Sequence, residues 1–75
     1  MTLDEAMRWL ASHGGKVHVV RRTADRDFFQ VVVAPHHSDI IGVQHHGGMN
    51  VRTDDPEFHR AFIQMVESVR QKVGA

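Results

Sequence analysis

The chain has 75 residues, no cysteine and seven histidines, and its nine basic and nine acidic side chains cancel at neutral pH. A single domain, 1–75, is expected, burying only about 60% of the surface its unfolded chain exposes. The missing cysteines exclude disulfides and thiolate zinc sites as supports, and the zero net charge argues against generic phosphate-backbone binding, which ordinarily shows as a basic excess. Met1-Thr-Leu-Asp-Glu has neither the basic start nor the apolar core of a signal peptide. Apolar runs extend only a few residues, far short of a membrane span. A cytoplasmic protein of bacterial type, with no membrane partner, is the expectation.

The first element reads as a helix. Thr2 and Glu5 have capping-box spacing. Leu3, Ala6, Met7 and Leu10 make one apolar stripe with Trp9 at its edge, and Gly14-Gly15 stops it. Lys16 to Arg22 reads as a strand and Thr23 to Asp27 as a polar connector. Phe28 to Ala34, β-branched and aromatic, is the strongest strand signal in the chain. Pro35 to Asp39 reads as a turn and Ile40 to His46 as a third strand. Gly47-Gly48 is a hairpin signal that would set a short fourth strand over Met49 to Arg52. Asp55 and Pro56 open the last helix, with Asp54 and Glu57 as an alternative capping box. Phe58, Phe62, Met65, Val66, Val69 and Val73 form its apolar face, and Gly74 ends it. The fold class is therefore α+β: helix, a three- or four-stranded antiparallel meander sheet, helix, with both helices on one face.

Successive strand side chains point to opposite faces. Simple hairpins place Val17, Val19, Phe29, Val31, Val33, Ile41 and Val43 under the helices. The open face then collects His18, Val20, Arg22, Phe28, Gln30, Val32, Ile40, Gln44 and His46, with Arg22, Phe28 and His46 in one cross-strand row. That face is too apolar for a solvent face and too polar for a second core.

Three uses follow, and the first is preferred. An exposed apolar patch most often marks a protein interface. Arg22, Phe28, Val32, Ile40 and His46, with Trp9 on the first helix, are thus the candidate interaction residues. They suit a non-catalytic accessory or regulatory protein that binds a protein partner and forms a homodimer through the open face. The second use is a nucleic-acid platform, with bases stacked on Phe28 and phosphates held by Arg21, Arg22 and the histidines. The element order resembles that of double-stranded-RNA-binding domains. Those carry lysines at the start of the last helix, where Asp54, Asp55, Pro56 and Glu57 stand here, so no family is assigned.

The third use is a histidine metal site. On an extended run His36 and His46 would lie roughly 30 Å apart at its two ends, so the pairs His36-His37 and His45-His46 are not expected to make one site. His18 with His36 or His37 is the remaining weak candidate, and no spaced ligand motif is present. No cofactor is implied. His37, Ser38 and Asp39 supply the residue types of a catalytic triad, but sequence neighbours rarely achieve its geometry. No enzyme is expected.

Overall fold

The computed structural model describes residues 1–44 and 55–74. Their order is α1 (Leu3–Ser12), β1 (Lys16–Arg22), β2 (Arg26–Val33), β3 (His36–His37), β4 (Ile41–Gln44) and α2 (Pro56–Val73). This is the α+β helix–sheet–helix arrangement expected from the sequence, and its sheet is antiparallel throughout. Among the described residues, no helix is long and apolar enough to cross a membrane.

Each helix is delimited by the chemistry its ends require. The Glu5 N–H donates to Thr2 Oγ1 at 3.2 Å, and the Thr2 N–H donates back to Glu5 Oε1 at 2.9 Å. Two of the donors that a helix start leaves unpaired are thereby satisfied. At the far end Gly14 takes a φ of 64°, which suits a residue without Cβ. In α2 the Asp55 side chain accepts from the Glu57 N–H at 2.9 Å, Pro56 fills the first turn, and Gly74 closes the helix at φ 83°. The alternative capping box through Asp54 lies outside the described residues.

Strand β2 is the centre of the sheet. β1 runs along one edge; β3 and then β4 follow each other along the opposite edge, facing Val32–Val33 and Arg26–Phe29 respectively. Burial alternates along β2. Asp27, Phe29, Val31 and Val33 are buried beneath the helices, whereas Phe28, Gln30 and Val32 are half-buried on the open face. Helix α2 lies over β2, β3 and β4 and contributes Met65, Val66 and Val69 to the core. Helix α1 packs beside α2 and buries Ala6 and Leu10 in the same cluster. Lys72 near the end of α2 donates to the carbonyl of His37, tying that helix to β3.

The sheet departs from the expected register in three places. First, β1 contains a bulge. Val19 pairs with Phe29 but Arg21 pairs with Phe28, so Val20 is the extra residue. Every position after it changes face, and Arg22 stands across from buried Asp27. The expected row of Arg22, Phe28 and His46 is therefore not formed. Arg21 and Gly42 are the neighbours of Phe28, and His46 lies outside the described residues.

Second, the turn after β2 is shorter than expected. Val33 pairs with His36, leaving only Ala34 and Pro35, joined by a cis peptide, to reverse the chain. His36 and His37 are strand residues rather than turn residues. Ser38 follows with a separate contact to Val31, and the strand expected from Ile40 begins pairing one residue later, at Ile41. The glycine hairpin and the strand expected over 49–52 lie outside the described residues.

Third, β1 is not covered by the helices. All seven of its residues are exposed, including Val17 and Val19 on the helix-side face.

Candidate interaction surface

The bulge gives β1 two unlike faces. Val17 and Val19 pair with buried Val31 and Phe29, which places them on the helix side. Lys16, His18 and Arg21 pair with the half-buried Val32, Gln30 and Phe28, which places them on the open side. The helix-side row is apolar at Val17 and Val19 and ends in Arg22, opposite Asp27; the open-side row is basic. Lys16 to Arg22 contains no acidic residue. Among the described residues, nothing pairs with the outer edge of β1, so its backbone N–H and C=O groups on that side face outward.

Beside the apolar row the helices leave an open groove of about 380 Å³. Leu3 and Met7 of α1, Val17 of β1, and Phe58, His59 and Phe62 of α2 form its walls. Met7, placed by its spacing in the buried stripe of α1, is 53% exposed here; Val17 and Val19 are 40% and 45% exposed. These three residues, expected in the core, instead form an apolar border along the edge strand. Periodicity identified the face on which they lie, but how far the helices reach over that face depends on tertiary packing. The available signal was the concentration of positive charge in Lys16 to Arg22, which marks that strand as an edge.

Of the residues singled out from the sequence, Phe28 and Val32 lie on the open face, Arg22 stands on the helix side opposite Asp27, and His46 lies outside the described residues. Phe28 lies against Gly42, where a Cβ would come within 2.8 Å of its ring. The Arg21 guanidinium stands 6.0 Å from the ring centroid, within cation–π range. Phe28 is thus already engaged on its own sheet. Val32 is half-buried between Lys16 and His37. Ile40 is 52% exposed in the segment between β3 and β4. Trp9 is on neither surface; its indole stacks on the His13 ring at 4.1 Å and packs half-buried against the core.

The histidines are dispersed. β1 and β3 flank β2 on opposite sides, so His18 and His37 have a whole strand between them, and the expected pairing of His18 with the His36-His37 turn does not occur. Two strand spacings amount to about 10 Å. His36 and His37 pair with Val33 and Val32, residues of opposite faces. Among the described residues, no three histidine or acidic side chains gather as metal ligands. His59 has its Nε2 shut away from solvent on the groove wall, without a hydrogen-bond partner among the described residues. The Ser38 hydroxyl accepts from the Val31 N–H at 2.9 Å and donates to the Asp39 carbonyl at 2.8 Å. Its geometry is that of a brace within the sheet.

No family model, curated protein or solved structure matches the chain. Any functional reading therefore comes from the surface itself. That surface combines an outward-facing strand edge, an apolar groove alongside it and a row of positive charge on the strand's other face.

Proposed function

We propose that the chain is a non-catalytic binding module that receives an extended segment of a partner protein along β1. Strand addition takes affinity from main-chain hydrogen bonds and specificity from pockets that accept alternate side chains. The observation that carries the reading is the coincidence of an edge of seven residues with an apolar groove on one face of the same strand. A solvated edge needs no such groove. The wall residues Met7 and Val17, with Val19 further along the strand, offer exposed apolar area on an edge of the kind that charged side chains ordinarily guard.

The test is a random-peptide selection followed by chemical-shift mapping of the labelled protein. Selected peptides are expected to move the amides of residues 16–22 and the methyl groups of Leu3, Met7 and Val17. A selection that returns no binder, or binders that shift only the open face, would overturn the reading.

A second reading is favoured by one observation, the incomplete burial of Phe28 and Val32 on the open face, together with an exposed Ile40. In it, a second copy of the chain covers the open face and the protein is a homodimer. Sedimentation over a range of concentrations decides this, and a strict monomer removes it.

A further inference from the structure

The reading of β1 as a strand acceptor leaves open which segment fits. Resting on that reading, we infer that the acceptor is built for a segment in which apolar and acidic residues alternate. An added strand continues the pleat, so its side chains line up face for face with those of β1. On the helix side its neighbours are Val17 and Val19, with Arg22 at the end of the strand, and, below the two valines, the groove walled by Met7, Phe58 and Phe62. The guest residues that face Val17 and Val19 enter that apolar space. On the open side its neighbours are Lys16, His18 and Arg21. The residues between the apolar ones meet a row with two fixed positive charges, for which carboxylates are the complement.

The same row argues against the alternative guests. A second copy of β1, paired edge to edge, would bring two basic rows together, and like charges across a strand pair are destabilising. Lysines and bulges on edge strands serve as guards against such self-pairing, and β1 has both a lysine and a bulge. That guard explains Lys16, Arg21 and the displaced Val20. It does not explain the apolar row and groove on the other face, which a guard would also have made polar. A single-stranded nucleic acid would meet the positive row, but its sugar-phosphate backbone lacks the alternating N–H and C=O groups that pair with a strand edge. The aromatic ring nearest that row, Phe28, already contacts Arg21 and Gly42.

Capped seven-residue peptides in which valine alternates with glutamate, threonine or lysine test the inference, with binding read by shifts of the β1 amides. The glutamate peptide is expected to bind about tenfold or more tighter than the lysine peptide, with a preference that fades as salt screens it. The double variant Lys16→Glu with Arg21→Glu should reverse the order. Both sites are exposed, and circular dichroism confirms that the variant is folded. Equal binding of all three peptides at β1 overturns the acidic preference and leaves strand addition standing. If no peptide moves the β1 amides, the strand-acceptor reading itself falls. A mixed-sequence single-stranded oligonucleotide that binds β1 more tightly than the glutamate peptide overturns the inference. So does a dimer whose β1 amides are protected from exchange.

Discussion

Ser38 sits between His37 and Asp39, and its neighbours in sequence suggest chemistry where its contacts show structure. The side chain is buried, and its hydroxyl supplies the partner that the Val31 N–H would otherwise have found in a continuous third strand. The backbone N–H of Ser38 donates to the Val31 carbonyl at 2.8 Å, so one residue satisfies both polar groups of a core position. Ser38→Ala removes the acceptor and leaves a buried N–H unpaired, at an expected cost of about 1–3 kcal/mol in urea unfolding. A loss below about 0.5 kcal/mol would mean that the hydroxyl is not the partner of Val31.

Elements were legible where local chemistry defines them. Thr2 with Glu5 marked the start of α1, Asp55 with Pro56 that of α2, and the strand Lys16 to Arg22 has the bounds its composition indicated. The bulge had no signature, since Val-His-Val-Val-Arg-Arg reads equally well with or without an extra residue. β3 was hidden because Pro35 marks a turn but does not say how short that turn is. The close of α1 provides a test at this scale. A Cβ on Gly15 would lie 2.1 Å from Leu10 Cδ1 and 3.0 Å from Val33 Cγ2. Gly15→Ala should therefore displace the Leu10 side chain from the core and cost about 1–3 kcal/mol, measured as a lowered unfolding midpoint.

The start of α1 gives a pH prediction. The Thr2 backbone N–H, and then its side chain, hold the Glu5 carboxyl below its ordinary value. A depressed carboxyl contributes stability above its unfolded pKa and loses it as pH falls through the folded one. The first turn of α1 should therefore loosen on the acid side, seen as faster exchange of the Thr2 and Glu5 amides. Glu5→Gln keeps an acceptor and removes the titration, so the loosening should disappear. Its persistence in that variant would assign the acid sensitivity to another group.

At the scale of the whole molecule, the decisive feature is where the helical layer ends, and no local pattern encodes it. Val17 and Val31 show this most directly, because they are cross-strand partners of the same residue type on the same face of the sheet. Val31 is 0% exposed under α2, whereas Val17 is 40% exposed beside the groove. Sequence periodicity assigned both to the core. Threonine replaces either with nearly the same shape and a good strand propensity, but adds a hydroxyl. At position 31 that hydroxyl is buried among apolar neighbours, and Val31→Thr should cost about 1–3 kcal/mol. At position 17 it reaches solvent, and Val17→Thr should stay within about 0.5 kcal/mol of the parent. The same Val17→Thr change should nevertheless weaken the binding of a strand-forming peptide, since it makes the groove wall polar. Urea unfolding of the two variants, with peptide titration of the second, separates a surface held open for a partner from one closed in the folded chain. Equal destabilisation by both changes would place Val17 in the core and remove the groove as a docking surface.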